Sequence, residues 1–212
     1  MARQKGIIKL EGTIGDISFY KSKDGHLART KGGVEADRIK NDPTFQRTRE
    51  NGNEFGRAGK AGKLLRTSIR QYIQKAADSR MVSRLTRDFV KVVKSDPTNA
   101  RGERTVMDGD LTLLKGFEFN VEGKLGSTFY TSYEVNVDRV TGELIVNVPS
   151  FSPASAIASP EGASHMKLIS AAAAVDFEEE QYQVALSQSD EIELTQANTP
   201  LIELINQLPA DI

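Results

Sequence analysis

The sequence predicts an α+β protein: an N-terminal β-hairpin arm, two to three α-helices, and a C-terminal antiparallel β-sandwich. Three observations predict this order. Residues 6–30 are β-rich around an Asp-Gly bend, residues 43–95 carry apolar residues at helical spacing, and from Phe117 the apolar period shortens to two. The expected boundaries are 1–33 for the arm, 34–116 for a basic helical segment and 117–212 for an acidic sandwich that is incomplete at its C-terminus. With 212 residues the chain is long enough to bury a core without staples.

In the arm, residues 6–20 read as one strand, Lys23-Asp24-Gly25-His26 as the bend, and Leu27-Ala28-Arg29 as the start of the return strand. Gly12 and Gly15 inside a strand predict a bulge or the close approach of another backbone. Two strands alone are marginal in water, so the arm must pack on something. Its interacting residues are expected to be Ile7, Leu10, Gly12, Ile14, Gly15, Ile17, Phe19 and Tyr20.

A connector with Lys31-Gly32-Gly33 follows. Asp42 is then the expected N-cap, with Pro43 at the first helical position. Phe45, Phe55, Ala58, Ala61, Leu65, Ile69, Tyr72, Ile73 and Ala76 define one long helical face. A second helix runs over 79–95, capped by Ser79, with Val82, Leu85, Phe89, Val92 and Val93 inward, and Asp96-Pro97 stops it. A short third helix or turn follows Asp108-Gly109-Asp110 at 111–114.

Strands are then expected at 117–121, 133–137, 144–148, 165–177, 181–187, 190–195 and 201–206. The tract Ala171–Ala174 favours helix intrinsically, but Asp176, Phe177, Tyr182 and Val184 suit a strand better. The chain stops soon after 201–206. That predicts either a shortened form or a final strand that pairs with another subunit.

Charge is split along the chain. Residues 1–100 carry 22 Lys and Arg against 11 Asp and Glu; residues 101–212 carry 6 against 18. A building block with unlike ends has this pattern, as does a pair of domains with differently solvated surfaces. The chain has no Cys and no Trp and only two His, His26 and His165. Disulfides, thiolate zinc sites and cysteine nucleophiles are therefore excluded. No run of apolar residues approaches a membrane span or a secretory core, so a cytoplasmic location, or a particle assembled there, is expected.

The motifs support binding better than catalysis. The run Gly56-Arg57-Ala58-Gly59-Lys60-Ala61-Gly62-Lys63-Leu64 lacks the phosphate-loop spacing, and Leu64 stands where the metal-binding hydroxyl belongs. Gly52, Gly56, Gly59 and Gly62 form a smooth stripe that predicts close helix packing. Arg47, Arg49, Arg57, Lys60, Lys63, Arg66, Arg70 and Lys75 populate the same helix, and Arg57, Lys60, Lys63, Arg66 and Arg70 are its expected basic interaction face. Asp108 and Asp110 read as helix caps. Asp176, Glu178, Glu179 and Glu180 read as an acidic turn. No catalytic residue, metal ligand, cofactor site or small-molecule substrate is assigned.

The segments Gly12–Lys21, Phe45–Leu65, Leu114–Asn120 and Pro160–His165 together resemble an uncharacterised bacterial protein family, over most of the chain. The resemblance implies the order of Gly-rich hairpin, helices and β-sandwich, and chains that continue beyond residue 212. It implies no activity. The expected function is non-enzymatic: a self-assembling subunit of a filament, tube, shell or virus-like particle, with homo-oligomers as the natural state. The alternative is a nucleic-acid-binding or packaging protein using the basic residues 45–94.

Overall fold

The computed structural model describes residues 1–30 and 32–210, apart from the side chain of Lys75. Lys31 of the connector, the Lys75 side chain, Asp211 and Ile212 lie outside the described residues. The chain divides into two compact units, Met1–Arg49 and Glu50–Ile212, and its mixture of helices and several antiparallel sheets is an α+β fold.

The first unit holds β1 (Ala2–Arg3), β2 (Gly12–Ile14), β3 (Ile17–Ser22), β4 (Gly25–Thr30) and α1 (Ala36–Asn41). The strands form one antiparallel sheet in the order β1-β4-β3-β2. The expected single hairpin is thus a four-stranded sheet. Gly15, at φ 55°, opens a two-residue bend with Asp16 that turns β2 back onto β3. Glycine at the first bend position matches the twist of the flanking strands. A Cβ at Gly12 or Gly15 would meet nothing within 4 Å, so neither glycine serves close packing among the described residues. Asp42 caps as expected: its carboxylate accepts from the Thr44 amide at 2.9 Å, over the 3-10 turn Pro43–Phe45. No described residue of Met1–Arg49 is buried.

The second unit contains most of α2 (Gln46–Ser68), then α3 (Arg70–Ala76) and α4 (Met81–Ser95). One long helix was expected over α2 and α3; the structure breaks it at Ile69, whose backbone leaves the helical range. The Thr67 and Ser68 hydroxyls hydrogen-bond the carbonyls of Lys63 and Leu65, a back-bonding that bends helices. Leu85, Phe89, Val92 and Val93 form the buried stripe of α4 against Ala58 and Ala61 of α2. Two expected core residues point outward instead: Phe55 is 61% exposed and Val82 44%.

The start of α4 also differs. Asp78, not Ser79, accepts from the Arg80 amide at 2.7 Å. The same carboxylate binds the Arg84 guanidinium and the Val121 amide. Arg84 in turn donates to the Glu118 carbonyl at 2.7 Å. This knot holds residues 117–121 on the helices, where Phe117 and Phe119 pack edge to face with centroids 5.1 Å apart. The expected strand there is absent because those backbone groups bond to helix side chains rather than to a sheet.

The helix α5 (Leu125–Thr128) precedes β5 (Glu134–Asp138) and β6 (Glu143–Val148); α6 (Pro153–Ala156), β7 (His165–Met166), β8 (Ile169–Asp176), β9 (Gln181–Gln188), β10 (Ile192–Glu193) and β11 (Ile202–Gln207) follow. They make three antiparallel sheets: β11-β6-β5, β8-β9 and β10-β7. Both strands of the β8–β9 hairpin pack on β11. The alanine tract is a strand because all of 169–176 pairs with β9, and its small side chains admit β11: Ala172 is buried. The Asn206 amide, buried on β11, donates to the Ser170 hydroxyl at 2.8 Å across that contact. The final strand pairs with β6 within the chain and forms the other edge of that sheet.

Candidate functional site

Cross-strand partners share a face of a sheet, so Ile14, Ile17, Phe19 and Ala28 of the arm lie together on one face, and Tyr20 and Leu27 on the other. Ile14 and Ile17 are exposed, and Phe19 is half-buried. The crossing from β1 to β2 is tied down. Gln4 accepts from the Leu10 amide at 2.8 Å and donates to the Leu10 and Leu27 carbonyls, and Lys9 donates to the carbonyls of Gln4 and Gly6. These bonds hold Ile7 and Ile8 at the loop tip, both fully or largely in solvent.

The five expected basic positions do not form one helix face. At roughly 100° per residue, Arg57, Lys60, Lys63 and Arg66 spread over about half of the circumference of α2, and Arg70 lies beyond the break, in α3. Arg57 is committed inside the chain, donating to the carbonyls of Gly102 at 2.6 Å and Arg104 at 3.2 Å. Arg66 donates to the Gly62 carbonyl at 3.0 Å, one turn back. Lys60 pairs with Glu180 at 3.8 Å, so one basic and one acidic patch singled out from the sequence meet within a single chain. Lys63 and Arg70 are exposed and form no ion pair among the described residues.

The glycine stripe divides likewise. Gly62 fits its expected role: a Cβ there would sit 3.4 Å from Phe89 Cδ2. A Cβ at Gly52, Gly56 or Gly59 would meet nothing within 4 Å, so among the described residues those three are not used for close packing.

Glu54 was not singled out from the sequence, yet it is 2% exposed on the inner face of α2. Its carboxylate accepts from the Gly102 amide at 2.9 Å, with Arg104 Nε at 3.9 Å. The helix spacing Glu54–Ala58–Ala61 was the available signal. Asp96 anchors the same loop, accepting from the amides of Thr98, Asn99 and Thr105 and from the Asn99 side chain at 2.7–3.0 Å. Burial opposes its ionisation, but these hydrogen bonds outweigh burial and hold the carboxyl well below the usual range. Asp110 caps the 3-10 turn Leu111–Leu114 as expected, whereas Asp108 accepts from Asn99 and Thr105 and caps nothing.

Ser164 Oγ lies 2.9 Å from His165 Nδ1, and His165 Nε2 lies 3.9 Å from Glu193 Oε1. The residue types match a nucleophile, base and carboxylate. All three are exposed, and 3.9 Å exceeds a hydrogen bond, so the carboxylate does not orient the imidazole. His26 lies on the arm, 3.8 Å from Glu11. Among the described residues no three His, Asp or Glu converge as metal ligands, and no helix is long and apolar enough to cross a membrane.

An open apolar surface lies along β5. Val135 and Val137 pair with Val146 and Leu144, which in turn pair with Leu204 and Asn206. All six share the face that the β8–β9 hairpin covers over β11. Beyond the hairpin that face is open: Val135 is 49% exposed and Val137 60%. Val137 borders a groove of about 960 Å³ whose other walls include Leu65, Leu111, Leu144 and Tyr182. At the end of β5, the Thr141 amide and hydroxyl and the Val140 amide hold the Asp138 carboxyl below its ordinary range.

No family model matches this chain, and neither a curated protein nor a solved structure is similar to it, so no activity or residue role comes to it by comparison.

Proposed function

We propose that the chain is a non-enzymatic, self-assembling structural subunit whose N-terminal sheet is its joining element. The observation that carries this reading is the arm itself: four strands with an apolar face and no buried residue among those described. A sheet with one apolar face is stabilised by burying that face against another layer. The three open glycines of α2 support the same reading. Each costs about 1 kcal/mol of helix propensity against alanine, and nothing among the described residues uses the space. The acidic strands, paired sheet against sheet around β11 in the manner of a small sandwich, would form the body of the subunit.

The nucleic-acid alternative draws less support. Arg57 and Arg66 are hydrogen-bonded to backbone carbonyls within the chain, which leaves Lys60, Lys63 and Arg70 of the expected face for phosphate. Light scattering of the purified full chain over a concentration series, with negative-stain imaging, tests the proposal. Concentration-dependent regular oligomers are the expected result. A protein that stays monomeric throughout, and retards DNA or RNA, would replace assembly with nucleic-acid binding.

A further inference from the structure

We propose that the outer edge of β5, Glu134–Asp138, is the acceptor for the N-terminal arm of a second copy, whose β2, Gly12–Ile14, adds to it as a further strand. This rests on the assembly reading above and names the surface that reading leaves unspecified.

The acceptor is incomplete on two sides. Strand β5 pairs with β6 alone, and among the described residues no hydrogen bond reaches its outer edge. An exposed strand edge presents unpaired amides and carbonyls that template another strand. The inward face of β5 is open as well, since Val135 and Val137 lie beyond the cover of the β8–β9 hairpin. A partner that only capped the edge would leave the valines wet. A partner strand from a sheet with an apolar face of its own would pair the edge and continue the apolar face beside the valines.

The arm has that form. Its β2 is an edge strand, bonded to β3 on one side only. Ile14, Ile17 and Phe19 stand on one face of it. Adding β2 to β5 would extend the sheet β11-β6-β5 and set the apolar face of the arm beside Val135 and Val137 as one continuous face. Charge favours the same match. Residues 1–30 hold six Lys and Arg against three Asp and Glu, while residues 117–212 hold three against fifteen. Opposite fields raise the encounter rate and disfavour wrong partners. Self-pairing of β5 is disfavoured by the same chemistry: an antiparallel pair centred on Asn136 sets Glu134 directly opposite Asp138 of the other copy.

The chain has no cysteine, so introduced thiols are unique. Facing residues on neighbouring strands have Cα atoms about 4.5–5.5 Å apart, within disulfide reach. The full-length variant Thr13→Cys would be mixed under mild oxidation with Val135→Cys, Asn136→Cys or Val137→Cys. In parallel, Val135→Lys/Val137→Lys would be compared with wild type by light scattering, after a thermal melt confirms folding. The expected results are a disulfide-linked dimer in at least one mixture, well above either variant alone, and at least tenfold weaker association of the lysine variant. If the lysine variant does not fold, the cysteine mixtures decide alone. Wild-type assembly without any mixed disulfide would overturn the acceptor and leave self-assembly standing. Asn136→Cys linking to itself as well as to Thr13→Cys would overturn it in favour of β5 self-pairing. A wild-type chain that never associates would remove both proposals.

Discussion

Glu180 is the only non-glycine residue with positive φ among those described, at 54° in the turn between β8 and β9. The left-handed region costs an L-residue roughly 1–2 kcal/mol. Its compensation here is slight: the Lys60 pair is solvent-exposed on both sides and 3.8 Å long, and such pairs contribute little. Glu180→Gly should therefore raise the urea midpoint, by about 0.5–1 kcal/mol of stability; a lower midpoint would show that the side chain anchors the turn. Asp96 gives a pH signature. Its folded-state carboxyl titrates below the ordinary aspartate value of 3.8. The stabilisation it contributes is thus fully present above about pH 4 and is lost as pH falls through its folded-state range. Asp78, lowered despite burial by the Val121 and Arg80 amides and then by Arg84, acts in the same window. Urea midpoints measured from neutral pH down to about pH 2 should fall steeply below pH 4 in wild type. In Asp96→Asn they should start lower and fall less.

At the scale of elements, α2 combines two kinds of glycine. Gly62 lies under Phe89, whereas Gly52, Gly56 and Gly59 face open space. Alanine at the latter three should stabilise the isolated chain by up to about 1 kcal/mol each, read as a rise in melting temperature. Alanine at Gly62 should give no such gain, because its Cβ must fit 3.4 Å from the Phe89 ring. A triple variant that melts no higher than wild type would mean those glycines are already packed by a partner chain. Their periodicity was legible in the sequence. The inward face was legible as well, since Ala58, Ala61 and Ile73 of the expected face are buried, whereas Phe55 of that face is exposed. The buried Glu54 shares the inward side and aims at the Gly102 amide.

At the scale of the molecule, the charge split has a different meaning once Lys60 and Glu180 are seen to meet in one chain. Charge reversal at these two positions tests a contact within the subunit rather than between copies. Lys60→Glu and Glu180→Lys should leave assembly close to wild type. If assembly instead draws on the basic arm and the acidic strands, association should weaken steadily with salt, since the screening length falls from about 30 Å at 0.01 M to about 3 Å at 1 M. Association that strengthens with salt would point to apolar contacts as its main source.

The sequence by itself determined the α+β class, the helices around residues 46–95 and nearly all the strands after residue 133, because amphipathic period and turn residues are local properties. It also determined the capping roles of Asp42 and Asp110, which need only neighbours two residues away. Tertiary structure decided what depends on distant partners. Residues 117–121 alternate like a strand, yet Asp78 and Arg84 claim their backbone. The alanine tract has helical propensity, yet pairing with β9 and the space left by β11 make it a strand. The last strand stands near the chain end, yet β6 is its neighbour. Arg57, Lys60 and Arg66 look alike in sequence, but the loop at Gly102, the Gly62 carbonyl and Glu180 each engage one of them. The open edge of β5 could be known only after every other strand had found its pair.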